Sequence, residues 1–217
     1  MKTAAVLLGV AMLALPVTAA AQPADLRSSA QLQEDPGSQH HSWTYRNPSA
    51  DLAQYKAFLI EPTAVYADAS AKWGGATPEK RAAFADVLTR DLRKELGKSY
   101  TLATEPGPGV AVIRLTLLGV SSTTPGVATV TRVTPVGLAL NGVKSLAGKP
   151  GTFSGSADIA FELTDSKSNE LLIAAVRRRT PDALDIEASL STEKTVAAIS
   201  EDVASSVRKA LDKANGR

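Results

Sequence analysis

The chain has no cysteine, which removes disulfides, thiolate-bound zinc, iron–sulfur clusters and a cysteine nucleophile at one stroke. Aromatic residues are scarce, at 5% of 217 positions, so the core has to be assembled from Leu, Ile and Val with few large anchors. Neither sign of charge dominates. With 24 basic and 22 acidic residues the net charge is +2, without the strong positive field of a dedicated nucleic-acid binder. Histidine occurs only as the adjacent pair His40 and His41. Neighbouring side chains diverge in a strand and in a helix, so this pair converges poorly on one metal ion, and no metal site or cofactor is expected.

Catalytic signatures are missing as well. The sequence has no G-x-S-x-G elbow, H-E-x-x-H pair or P-loop, and Gly107-Pro108-Gly109 runs into Val110, Ala111 and Val112 instead of completing a dinucleotide fingerprint. Two S-x-x-K tetrapeptides, Ser191 to Lys194 and Ser206 to Lys209, lie on one amphipathic stretch without the partner motifs that would make them catalytic. No catalytic residue is assigned.

One apolar run stands out, and it is an address. Lys2 supplies a positive start, Ala4 to Leu15 an apolar stretch closed by Pro16, and Ala19-Ala20-Ala21 an A-x-A site before Gln22. Residues 1–21 are therefore expected to be a Sec-type signal peptide cleaved after Ala21, delivering a periplasmic or secreted protein. No later stretch approaches the roughly 20 apolar residues of a transmembrane helix. Gln22 stands where a lipoprotein would carry its acylated cysteine, so no lipid anchor is expected.

Residues 22–50 read as a flexible N-terminal arm: Ser28 to Ser42 is polar, interrupted by Pro36-Gly37, and has neither a helical nor a strand period. Trp43 and Tyr45 are expected to clasp this arm onto the domain. Residues 51–217 form a single domain. Ala57 to Glu61 reads as a buried strand ended by Pro62. Thr77-Pro78 starts a helix that carries Phe84, Leu88, Leu92 and Leu96 on one stripe and stops at Gly97. Tyr100 to Leu102 is a short strand, and Val110 to Val120 a long one alternating Ile113, Leu115 and Leu117 with Arg114 and Thr116. Val127 to Val133 is expected to pair with it as a hairpin, and Pro135 to Gly151 reads equally well as a short helix or a loop.

Near the C-terminus Ala157, Ile159, Phe161 and Leu163 alternate with Asp158, Ala160, Glu162 and Thr164, a half-buried strand. A turn over Ser166 to Asn169 returns the chain as Leu171 to Arg178. A last helix, capped by Ser191, carries Val196, Ile199, Val203, Val207 and Leu211 on one face. The order implies an α+β fold: an antiparallel or mixed sheet of about five strands with two main helices packed on one face.

Several short motifs carry a resemblance. Trp43-Thr44-Tyr45, a first strand Tyr55 to Pro62, Pro106-Gly107-Pro108-Gly109 before a long strand, and Phe161-Glu162-Leu163-Thr164-Asp165-Ser166 with Glu170 beyond it together resemble the bacterial domain-of-unknown-function family DUF3313 over residues 40–210. The resemblance implies an exported envelope protein, usually a lipoprotein, and it brings no catalytic residue. This chain departs from it in lacking the lipid-bearing cysteine and in having Ser168-Asn169 in place of a Thr-Gly turn, a change that asparagine's tolerance of left-handed backbone absorbs.

Two candidate sites remain. Arg177, Arg178 and Arg179 end a strand and could bind lipid phosphate, an anionic glycan or an acidic envelope protein. Counting back from the turn pairs Arg177 with Asp158 and leaves Arg179, with Arg178, free for such a partner. The second is a carboxylate face: Asp158 and Glu162 share the non-core side of their strand with Asp165 close by, the one arrangement a periplasmic hydrolase could use. A non-catalytic binding or envelope-assembly module is the favoured function and the hydrolase the alternative. Oligomeric state is not determined by the sequence.

Overall fold

A computed structural model describes residues 26–35, 42–68, 71–121, 155–180 and 192–216. They form an α+β fold of two long helices and one mixed eight-stranded sheet. The strands are β1 (Gln33–Glu34), β2 (Trp43–Arg46), β3 (Ala57–Ile60), β4 (Ala64–Val65), β5 (Thr101–Leu102), β6 (Val110–Ser121), β7 (Ser156–Asp165) and β8 (Leu171–Arg179); the helices are α1 (Pro78–Leu96) and α2 (Thr192–Ala214). Across the sheet the order is β1-β2-β8-β7-β6-β3-β5, with β4 continuing along β6 beyond β3. Pairings of β3 and β4 with β6, and of β3 with β5, are parallel; the rest are antiparallel.

The strand count exceeds the expected five for a physical reason. β1 and β4 are two residues long, held by the neighbour they pair with and too short to show any period of their own, and the four-residue β2 lies in the stretch read as an arm. The expected hairpin partner Val127 to Val133, the segment 135–151, His40, His41 and the cap Ser191 lie outside the described residues.

Both helices pack on one sheet face. Thr77 caps α1 with its side-chain oxygen accepting from the Lys80 N–H, Pro78 occupies the first helical position and Gly97 closes the last turn. Phe84, Leu88, Leu92 and Leu96 of α1 and Ile199, Val203, Val207 and Leu211 of α2 meet Phe58, Ile60, Ile113, Leu115, Leu117, Ile159 and Leu163 in one core. Phe161 was expected in this core and is only partly buried, packing at its margin. Phe58 and Tyr100 stack edge to face at 5.0 Å, and the Tyr100 hydroxyl donates to Asp212 at 2.8 Å, joining the first strands to α2.

The opposite face is covered too, by described residues of the 22–50 stretch. Residues 26–32 form a turn whose Leu26 and Leu32 are buried with Trp43, Tyr66, Leu118, Ala160, Ala174 and Val176 in a second core. β2 joins the edge of β8 along all four of its residues, so Trp43 and Tyr45 do clasp the arm to the sheet. The arm lacks a period because it contributes a few side chains to a face that β6, β7 and β8 build.

Two bulges set the register. In β6 the extra residue is Leu118, which packs in the arm-side core, and beyond it Gly119 faces Asp158 on the arm side while Val120 faces Ala157 on the helix side. Gly119 follows because the backbone of residue 72 crosses there: a Cβ would lie 2.9 Å from the Lys72 carbonyl oxygen, which accepts the Val120 N–H. In β8 the extra residue is Leu172: Thr164 pairs with Leu171, but Leu163 pairs with Ile173. The turn between β7 and β8 forms as expected, with Asn169 in left-handed backbone at φ 58°.

Candidate functional site

The bulge at Leu172 decides the fate of the arginine run. Thr164 faces Leu171 as counted, yet every later pair is displaced by one, so Asp158 faces Arg178 and Ile159 faces Arg177. Arg178 donates from Nε to Asp158 Oδ1 and from Nη2 to Oδ2, both at 2.8 Å, a bidentate fork with both side chains largely shielded. The bond to Asp158 raises the Arg178 pKa, against the opposing pull of its burial. Arg178 is therefore the structural arginine. This corrects the pairing of Asp158 with Arg177 and the expectation of a free Arg178.

Arg179 is not free either: its Nη1 lies 3.0 Å from Asp202 Oδ2 on α2. The three arginines also fail to form one patch. Successive strand residues point to opposite faces, so Arg178 stands on the arm side while Arg177 and Arg179 stand on the helix side. Arg177 is the exposed member.

The carboxylate face is roofed over. Glu162, 2% exposed, accepts the Ser28 N–H at 2.8 Å on Oε1. Beside it Arg114 faces Glu162 across the β6–β7 ladder and donates to Glu61 at 2.6 Å. Arg27, Glu61, Val112, Arg114, Glu162 and Thr164 enclose about 10 Å³, room for about one water molecule and no substrate. Asp165 belongs to the turn. It accepts the N–H groups of Ser168 and Lys167 and the Tyr55 and Ser168 hydroxyls, and these bonds, the Ser168 N–H foremost, hold its pKa below the ordinary range. Burial and the bond to Asp165 push the Tyr55 phenol up to about 12. Asp158, Glu162 and Asp165 are thus each occupied in holding the fold, and the space beside Glu162 is lined by neither Asp158 nor Asp165.

Among the described residues no group of three or more His, Asp or Glu side chains could hold a metal ion. A groove of about 290 Å³ runs between the helices, lined by Asp91, Lys94, Glu95, Lys98 and Glu201. Within it Glu95 accepts from Lys98 at 2.5 Å, and it also accepts from Arg208 at 2.7 Å.

Sequence reasoning passed over Ser28, Glu61 and the partners of Arg114. One signal was available, an arginine in the middle of a long apolar strand, which has to find carboxylates on the face it points to. Nothing local to Ser28 signals its role, because a backbone N–H carries no sequence signature.

A family model described as a protein of unknown function (DUF3313) matches residues 22–207. No curated protein matches the chain. Among solved structures, the PelC dodecamer from Paraburkholderia phytofirmans is similar at 13% identity over 75% of this chain and 94% of that one, with a TM-score of 0.35. A neuraminyllactose-binding hemagglutinin homolog from Helicobacter pylori is similar at 12% identity, over 78% and 89%, with a TM-score of 0.41. A minor lipoprotein from Acinetobacter baumannii is similar at 14% identity, over 73% and 92%, with a TM-score of 0.36.

Proposed function

The chain belongs to the DUF3313 family of proteins of unknown function, and from that premise we propose that it is an exported envelope protein that works by binding, with the Arg177 end of β8 as its contact surface. Export is supported by the coincidence of the family match, which begins at residue 22, with the A-x-A site ending at Ala21. Among the described residues no helix is long and apolar enough to cross a membrane. Mass spectrometry of the mature protein should find Gln22 at the N-terminus. An intact or differently cut N-terminus defeats this part of the reading.

The observation that carries the binding role is the state of Arg177. It is exposed, on the same face as Arg179 and two residues from it, while Arg179 is tied to Asp202 and Arg178 to Asp158. The neighbouring ion pairs fix the strand end on both faces, so Arg177 presents its guanidinium from a rigid support, the geometry suited to an anionic headgroup on a lipid or glycan. Co-sedimentation of the mature chain with phosphatidylglycerol vesicles, against phosphatidylcholine vesicles and a soluble anionic glycan, tests this. Binding should appear at low salt, weaken as the screening length shrinks toward about 8 Å at physiological ionic strength, and be lost in Arg177→Glu. Absence of binding to both anionic probes at low salt ends the reading.

A further inference from the structure

Taking Arg177 as an anion contact, the reading on which this step rests, we infer that the end of the sheet around it docks on an anionic lipid bilayer. Trp73 then sits among the lipid headgroups, with Lys72 and Arg177 on their phosphates.

That end is assembled by register. Gly119 of β6 faces Asp158 of β7, which faces Arg178 of β8, and Val120, Ala157 and Arg179 form the next row. Three strands span about 10 Å at the usual spacing. Lys72 is fastened to the β6 end of these rows: its carbonyl oxygen accepts the Val120 N–H at 2.9 Å and passes directly against Gly119. The loop from Lys72 into α1 therefore shares one end of the sheet with the arginines of β8, although the two are far apart in the chain.

The acids at this end are already committed. Asp158 and Asp202 are paired with Arg178 and Arg179. Asp68 and, on the outermost strand, Glu34 and Asp35 are each engaged within the chain. Glu79 and Glu193, in the first turns of α1 and α2, each have a lysine as the next residue. Lys72 and Arg177, by contrast, are exposed and have no ion-pair partner among the described residues. Free cations of this kind are what an anionic leaflet attracts.

Trp73 separates a lipid surface from other anions. Trp43 is buried in the arm-side core, whereas Trp73 is only partly buried and packs at the margin of both cores, at the edge where the two faces of the sheet meet. The Arg81 guanidinium lies 4.5 Å over its ring and donates from Nε to the Ala76 carbonyl at 2.8 Å, so indole and cation are held as one unit. Gly74 and Gly75 follow in left-handed backbone, at φ 53° and 82°, and form an exposed tip; nothing lies within 4 Å of where a Gly75 Cβ would stand. An amphipathic ring backed by a guanidinium and flanked by a tip without side chains suits the headgroup layer. A soluble glycan would engage the cations and leave the ring unused, whereas a bilayer engages both.

The test titrates the mature chain with phosphatidylglycerol vesicles, against phosphatidylcholine vesicles, and reads tryptophan emission and its quenching by acrylamide. Phosphatidylglycerol should shift the emission to shorter wavelength and protect it from acrylamide, and brominated phosphatidylglycerol should quench it. Trp73→Phe should abolish all three responses, because Trp43 is 8% exposed and stays in its core. Lys72→Gln and Arg177→Gln should each weaken partitioning about fivefold, the effect of one cation at an anionic surface. Lys94→Gln, in the groove between the helices, should change it by less than about twofold. If Trp73→Phe impairs folding, quenching of the wild type by brominated lipid and the two glutamine variants still decide. Vesicle binding that is lost in Arg177→Gln, yet leaves tryptophan emission and Lys72→Gln without effect, overturns the docking while the Arg177 contact survives. Binding to a soluble anionic glycan without binding to vesicles does the same. Absence of binding to both anionic probes at low salt overturns docking and contact together.

Discussion

A one-residue difference in register decides which arginine of β8 is structural, and stability measurements can read that difference directly. Asp158→Asn would leave Arg178 without its two 2.8 Å bonds to a carboxylate. Exposed ion pairs contribute about 0.2–1 kcal/mol, whereas removing one partner of a buried pair costs about 3–5 kcal/mol. With side chains 20% exposed at Arg178 and 12% at Asp158, this pair lies between those limits. A hydrogen bond to a charged group contributes roughly 1.5–3 kcal/mol, so Asp158→Asn and Arg178→Gln should each cost on the order of 1.5–3 kcal/mol. Arg177→Gln, at an exposed site, should change stability by less than about 0.5 kcal/mol. Urea denaturation of the mature chain in a double-mutant cycle should show Asp158 coupled to Arg178 by about 1 kcal/mol or more and uncoupled from Arg177. Coupling of Asp158 to Arg177 as large as that to Arg178 would refute the bulge at Leu172 and the side-chain assignments that follow from it.

Leu88→Ala, at a position 1% exposed in the helix-side core, should cost about 2–5 kcal/mol in the same assay, and Phe161→Ala, at the core margin, distinctly less. Gly119→Ala should destabilise by about 1–3 kcal/mol, because the new Cβ meets the Lys72 carbonyl where the backbone itself has to shift; an unchanged melting temperature would mean that the crossing segment yields freely. The Tyr55 phenol has a folded-state pKa above its unfolded value of 10.0, so its contribution is fully present below pH 10 and is lost as pH rises from 10 toward about 12. An absorbance titration should show a late-ionising tyrosine that disappears in Tyr55→Phe, and normal ionisation of all tyrosines would refute the burial of Tyr55 and its bond to Asp165.

The elements that could be read in advance share one property: their side chains repeat. α1 has a cap, a proline at its first position and four apolar residues at helical spacing, and α2 has a five-residue stripe; each of these patterns is complete within the element. The long strands β6 and β7 alternate over ten residues or more, so their helix-side residues were recognisable from period alone. β1 and β4 were beyond reach, since two residues define no period and the partner strand decides whether they pair.

The candidate sites were legible as residue types and not as geometry. Arg177 to Arg179 and the carboxylates Asp158 and Glu162 can be picked out by composition, but their partners depend on one inserted residue at Leu172 and on a strap 134 positions away in sequence from Glu162. A bulge costs little and leaves no local trace, yet it turns every later side chain on the strand to the other face.

By itself, then, the sequence determined the α+β class, the two helices and the face they cover, because binary patterning and capping are local and summed over long windows. It also determined the turn at Asn169 and the membership shared with the DUF3313 family. Tertiary structure decided that the arm roofs the second face, that Glu162 is buried beneath it, and that Arg178 is locked and Arg177 exposed. Those outcomes rest on contacts between segments far apart in the chain, whose free energy is gained only when the whole sheet is assembled.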